Sequence, residues 1–296
     1  MDFRLTPEQT GFAQSLADLM ARADSVAAAR AWAQGAHEPG LALWKRLAEQ
    51  GVTALVLPED DGGLGGTAVD LVVAFEVLGH HLAVGPWIES AALAPQAEGE
   101  LVTAAVPPLT PYALDADVAT LLHGSVASPL RSIDATRHLF EVDGAEPFDD
   151  DALDRATLAC AAELLGCGER LLSDSVDYVQ QRKQYGRTIG SYQAIKHQLA
   201  NVRIALDFAR PTVLGAALTG ASRDVSAAKV GAGDAAYLAS RVALQVHGAI
   251  GYTAEFDLGL WINRVRALVG AWGTPSFHRG RIADSLVSTS STTEVT

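Results

Sequence analysis

Two short segments stand out for the arginines, glutamine and glycines they carry. The first is Arg182-Lys183-Gln184-Tyr185-Gly186-Arg187, and the second is Gln245-Val246-His247-Gly248-Ala249-Ile250-Gly251-Tyr252. A guanidinium makes charge-assisted hydrogen bonds to phosphate oxygens. Glycines such as Gly248 and Gly251 let a backbone come close to a bound group. The same residues also fit a plain arginine salt bridge and a glycine helix terminus, and both readings stay open at this level. A third candidate is Asp154-Arg155. A carboxylate there can serve as a general base, with the arginine orienting it or binding substrate. Because Asp149-Asp150-Asp151 lie just upstream, Asp154 equally fits an ordinary carboxylate near the positive end of a helix.

Other chemistries fit poorly. Gly231-Ala232-Gly233-Asp234-Ala235-Ala236 approximates a dinucleotide-binding glycine pattern, but no strand precedes it and it sits inside a helical stripe. The sequence contains neither a Gly-x-Ser-x-Gly elbow nor a P-loop. His80-His81 has no acidic residue at ligand spacing and reads as structural. Cys160 and Cys167 read as buried thiols, since two cysteines without nearby histidines make no zinc site. A net charge of −13 over 296 residues argues against nucleic-acid binding. Hydrophobic residues at 49% with charged ones at 19% predict a globular protein with a large buried core. No apolar run is long enough to span a bilayer, and Met1-Asp2-Phe3-Arg4 lacks the pattern of a secretory signal, so a cytoplasmic location is expected.

The elements that must position these residues are mainly helical. Thr6, Pro7 and Gln9 form a helix-start signal, followed by Phe12, Leu16 and Leu19 at helical spacing. Leu43, Trp44 and Leu47 mark another helix. Beyond the turn-rich Pro58–Gly66 segment, Thr67 with Asp70 opens a further one. Residues 1–98 thus predict an N-terminal helical domain. Between residues 99 and 148, Pro107, Pro108, Pro111 and Pro129 break helices, and Val118–Leu122 and His138–Val142 read as strands, which predicts a small β module. Residues 149–287 predict a C-terminal helical bundle. Tyr192, Ile195, Leu199, Val202, Leu206 and Ala209 form one packed seam, and Ala235, Leu238, Val242 and Val246 another. The polar stretch 288–296 predicts a disordered tail.

Together with Gln193-Ala194-Ile195-Lys196-His197, Ala228-Lys229 and Gly233-Asp234, the two phosphate-suited segments resemble the acyl-CoA dehydrogenase family across the C-terminal half. Leu43-Trp44-Lys45-Arg46-Leu47-Ala48, Leu57-Pro58-Glu59 and Gly62-Gly63-Leu64-Gly65 extend the resemblance through the N-terminal half. It implies FAD, with Arg182 on the cofactor pyrophosphate, Gln245 on its ADP portion, and Tyr185, Gly248 and Gly251 beside it. It also implies that these groups serve a site whose isoalloxazine is held mainly by a neighbouring subunit. Ala249 stands where a glycine is common in the family.

The chain departs from the family pattern twice. The middle segment is shorter than the family's β-barrel and lacks its Thr-Glu-Pro-type segment. Trp272, in Ala271-Trp272-Gly273-Thr274, stands where many members carry the catalytic glutamate, and an indole accepts no proton. Some members place the base on an earlier helix next to an arginine, the position that Asp154-Arg155 resembles. Loss of the barrel and base with retention of the cofactor contacts is similar to the short subunits of heteromeric acyl-CoA dehydrogenases of actinobacterial steroid degradation, in which two unlike chains form an α2β2 assembly. The resemblance therefore implies a longer partner subunit that holds the acyl-CoA substrate, with α,β-desaturation of a bulky thioester as the reaction. Two other readings remain at this level: a self-sufficient homo-oligomer using Asp154, and a non-catalytic acyl-CoA-binding or scaffold protein.

Overall fold

Thr6 and Thr67 each close a reciprocal capping box, with the threonine hydroxyl accepting from the backbone N–H three residues on and Gln9 or Asp70 reaching back to the cap N–H. These caps start α1 (Pro7–Arg22) and, after α2 (Ser25–Trp32) and α3 (Glu38–Glu49), α4 (Ala68–His80). The Gln9 amide also donates to Asp70 Oδ1 at 3.0 Å, so one cap braces the other. The computed structural model describes residues 2–145, 147–253 and 256–292, with only the backbone described for Tyr252 and residues 288–292.

The β module holds more strand than its sequence suggests. β1 (Val102–Ala104) pairs in parallel with β3 (Leu121–His123), while β2 (Ala113–Leu114), β5 (Leu139–Asp143) and β4 (Ser125–Leu130) form an antiparallel sheet in that order. Val118–Leu122 and His138–Val142, the strands expected from sequence, overlap β3 and β5. Pro129 obscured β4; the strand tolerates it because β4 lies at a sheet edge, where a missing N–H breaks no ladder.

The rest of the chain is helical. The 32-residue α5 (Asp150–Gln181) leads through a hairpin of β6 (Lys183–Gln184) and β7 (Arg187–Thr188) into α6 (Gln193–Thr219), α7 (Ser222–His247), α8 (Leu258–Gly270) and α9 (Pro275–Thr292). α5 to α8 form the four-helix bundle and α9 lies along α7. α9 continues through Thr292, past the point where a disordered tail was expected; residues 293–296 lie outside the described ones. α4 packs on α5 at closest approach through Gly79 and Gly166, where a Cβ would collide with backbone of the opposite helix. Val242 and Val246 are buried as the seam on α7 predicts, but Leu238 turns out beside Tyr237 and is 36% exposed. No helix among the described residues is long and apolar enough to cross a membrane.

One buried cation ties the three regions together. Arg264, on α8, donates to Asp134 Oδ2 (2.7 Å) and Thr136 Oγ1 (2.9 Å) in the β module, to Glu163 Oε1 (2.8 Å) on α5, and to the Ala83 carbonyl (2.9 Å) beyond α4. Burial works against its charge, but Asp134 and Glu163 outweigh burial and hold its pKa above the ordinary range. The cysteines are structural: both are free and buried, and burial pushes the Cys160 thiol up to about 11. His80 and His81 stack edge-on at 5.0 Å, and burial holds both below the usual imidazole range.

Candidate functional site

The two phosphate-suited segments meet. Arg182 is the C-cap of α5, fixed by its N–H to the Tyr178 carbonyl (2.8 Å) and its carbonyl to the Ile189 N–H (2.8 Å). The β6–β7 hairpin then turns through Tyr185 (φ 51°) and Gly186 (φ 80°). A two-residue turn with both φ values positive suits strand twist, but a bulky residue at the first position is strained. Tyr185 nevertheless sits there 93% exposed. Across from the hairpin, α7 ends and the chain leaves through Gly248, whose φ of 63° and ψ of −137° disfavour any side chain.

Between these ends lies an open groove of about 800 Å³, lined among others by Arg182, Tyr185, Tyr192, Gln245, His247 and Gly248. Four of the five residues expected at the cofactor therefore share one surface. Gly251 does not line it: it is buried beside His247, Leu244 and Leu258, so its role is close packing rather than approach to a ligand.

The groove's polar groups are left free for a ligand. Among the described residues no carboxylate pairs with Arg182. Around Gly248 a Cβ would meet nothing within 4 Å, so the backbone is accessible from outside. His247 stacks on Tyr178 at 4.2 Å and its Nδ1 lies 2.8 Å from the Ala243 carbonyl. Burial holds this imidazole below its usual pKa, so it is neutral with Nδ1 as donor, and its buried Nε2 has no partner. An unpaired guanidinium, an exposed amide at Gln245, an accessible backbone and an unfilled acceptor fit the phosphate and adenosine portions of a dinucleotide. Sequence reasoning missed His247; its place between Gln245 and Gly248 was the available signal.

The candidate base lies elsewhere. Asp154 is on the first turns of α5, 28 residues from Arg182 on one helix and therefore about 42 Å away. Its carboxylate receives both Arg281 nitrogens from α9 (2.5 and 3.0 Å) and the Ser222 hydroxyl from α7 (2.5 Å). Both oxygens are thus engaged in a half-buried ion pair that joins three helices. Arg155 donates to the Ala92 carbonyl at 3.0 Å and does not orient Asp154.

Trp272, which the sequence resemblance sets where a base was expected, is a core residue. It is fully buried with φ of 56°, its N–H donates to Thr110 Oγ1 (2.9 Å), and its carbonyl accepts from His278 Nε2 (2.8 Å). His278 is itself buried, and burial lowers its pKa to about 4. Lys229, from the Ala228-Lys229 match, caps the end of α8 by donating to the Leu268 carbonyl at 2.9 Å. This region is packed interior.

Comparison with known proteins agrees with the geometry. Residues 6–97 match the family model "Acyl-CoA dehydrogenase, N-terminal domain" and residues 149–287 match "Acyl-CoA dehydrogenase, C-terminal domain". The chain is 31% identical over 294 residues to acyl-CoA dehydrogenase IpdE2 of Mycobacterium tuberculosis, covering 88% of this chain and 92% of that one. The fold is similar to a chain of the ChsE4–ChsE5 complex from Mycobacterium tuberculosis (TM-score 0.82, 21% identity, 97% and 99% covered). It is also similar to a chain of the Tcur3481–Tcur3483 steroid ACAD (TM-score 0.80, 20% identity, 96% and 99% covered). With both family models matched in order and a relative aligned over nearly its whole length, the chain belongs to the acyl-CoA dehydrogenase family, whose cofactor is FAD.

Proposed function

We propose that this chain is the companion subunit of a heteromeric FAD-dependent acyl-CoA dehydrogenase and completes a flavin site centred on a longer partner. The observation that carries this reading is that the flavin-suited groove stands open while the base candidate Asp154 is tied up by Arg281 and Ser222. The residues that fit FAD stand at the C-terminal end of α5, and Asp154 stands about 42 Å away near its start, engaged in an ion pair. With both oxygens occupied by Arg281 and Ser222, this carboxylate is poorly placed to take a substrate proton, which disfavours a self-sufficient enzyme using Asp154.

FAD supplies the hydride acceptor of the desaturation. In this reading Arg182 binds the pyrophosphate with charge-assisted hydrogen bonds. Gln245 and the backbone at Gly248 hold the ADP portion, while Tyr185 and Tyr192 line the same groove. The base, the β-barrel wall and the acyl pocket come from the partner. The helices that reach the groove, α6 and α7, also carry exposed apolar side chains. α6 and α7 run antiparallel from the turn at Gly220, and Ile204 and Phe208 on α6 are 52% and 75% exposed. Apolar side chains this exposed on a helix that reaches the groove favour a protein neighbour.

In this reading the substrate is a bulky CoA thioester of the steroid-derived kind. This part of the proposal is supported by the likeness to the Tcur3481–Tcur3483 steroid ACAD. The test is turnover with a steroid-side-chain CoA and with butyryl-CoA, by this chain alone and by the complex with a longer family member encoded nearby. The expected outcome is activity only in the complex, with kcat/KM at least about tenfold higher for the bulky thioester. Turnover by this chain alone would overturn the companion assignment, and equal turnover of both thioesters the substrate class.

A further inference from the structure

Far from the flavin groove in sequence, three segments bring two imidazoles and a carboxylate to one point. His37 occupies the N-cap position of α3, Asp117 follows β2, and His138 precedes β5. His37 Nε2 and His138 Nδ1 lie 3.3 Å apart, and Asp117 Oδ2 lies 3.3 Å from His138 Nδ1 and 3.7 Å from His37 Nε2. We propose that His37, Asp117 and His138 form a binding site for a divalent transition metal, with Zn²⁺ the best match.

The spacing is the first argument. Ligands bonded at about 2.0 Å to a tetrahedral ion lie about 3.3 Å from one another. The three atoms here span almost that triangle. A hydrogen-bonded cluster accounts for the arrangement less well, because two ring nitrogens facing each other can share only one proton, whereas an ion takes one lone pair from each of the three groups. The donor set excludes hard cations: Mg²⁺ and Ca²⁺ take oxygen ligands, while imidazole with one carboxylate suits Zn²⁺.

The second argument is Asp115, which is fully buried behind the cluster. Its Oδ1 accepts from the Trp32 indole N–H (3.1 Å) and the His138 backbone N–H (3.0 Å). Trp32 in turn packs edge-on against the His37 ring at 4.6 Å. Asp115 thereby positions elements carrying both histidines, as outer-shell carboxylates do around metal ligands. Its Oδ1 also lies 3.9 Å from His138 Nδ1, and its Oδ2 has no hydrogen-bond partner. A buried carboxylate with an unfilled oxygen favours a cation beside it.

The ligand side chains keep 17%, 34% and 23% exposure for His37, Asp117 and His138, so an ion enters directly from solvent. Three protein ligands leave a fourth position for water. The ion clamps the α2–α3 turn of the N-terminal helical region onto the β module. This site involves none of the flavin-groove residues and stands whether or not the companion-subunit reading does.

The experiment is calorimetric titration of the chelator-treated full chain with ZnCl₂, followed by thermal melting with and without the metal. One zinc per chain is expected, with Tm raised by about 5 °C when free Zn²⁺ is 100-fold above Kd. Asp117→Asn, a small change on a partly exposed side chain that leaves the fold intact, and His37→Gln should each weaken binding at least tenfold, on the order of the smallest losses known for metal-site residues. His81→Gln should leave it unchanged. Absence of saturable one-to-one binding, or binding that either ligand variant leaves unchanged, would overturn the proposal.

Discussion

Arg182→Ala in the assembled complex lowers FAD affinity by about 10- to 100-fold, because each hydrogen bond to a charged group contributes roughly 1.5–3 kcal/mol. Arg182 is suited to this test. Its side chain is exposed and unpaired among the described residues, so its removal breaks no internal contact and the fold should melt unchanged. Arg182→Lys keeps the charge but loses the two-pronged geometry and should recover only part of the affinity. Flavin fluorescence released on dilution of the complex measures both variants. Wild-type retention of flavin by Arg182→Ala would remove this residue from the cofactor site.

Arg264→Leu has the largest expected effect on stability, a loss of about 3–5 kcal/mol. The leucine leaves Asp134 and Glu163 buried without their cation, and takes donors from Thr136 and the Ala83 carbonyl as well. Because Arg264 joins the N-terminal helices, the β module and α5, the loss should separate their unfolding. Denaturant melts followed by tryptophan fluorescence and by far-ultraviolet circular dichroism would then cease to coincide. Adding Asp134→Asn and Glu163→Gln to Arg264→Leu removes the stranded charges and should restore part of the stability. A melt unchanged by Arg264→Leu would contradict the pinning role.

What the sequence disclosed follows from the range of the interactions involved. The capping boxes at Thr6 and Thr67 are local, needing only residues three apart, and they form as expected. The meeting of Arg182 with Gln245 and Gly248 was visible only through family resemblance, since no periodicity relates a hairpin after α5 to the end of α7. Gly251 illustrates the limit: the same residue type serves close packing at one position and backbone access at another, and only neighbours such as Leu258 distinguish them. Asp154 is similar, because its function as an ion-pair partner depends on Arg281, far along the chain on α9. β4 was hidden by Pro129, which is compatible with a strand only once the strand is known to lie at an edge. Arg264 and the His37–Asp117–His138 cluster left no sequence signal at all, since their partners come from three separate regions.

The most direct test of the proposed shared cofactor site is the flavin absorbance spectrum of this chain purified alone and co-expressed with a longer member of the family as candidate partner. In the proposed reading the groove lined by Arg182, Gln245 and Gly248 supplies only the phosphate and adenosine contacts, and the partner supplies the rest. The expected result is no bound flavin for the chain alone and close to one FAD per site in the complex. Stoichiometric FAD on this chain alone would contradict the account.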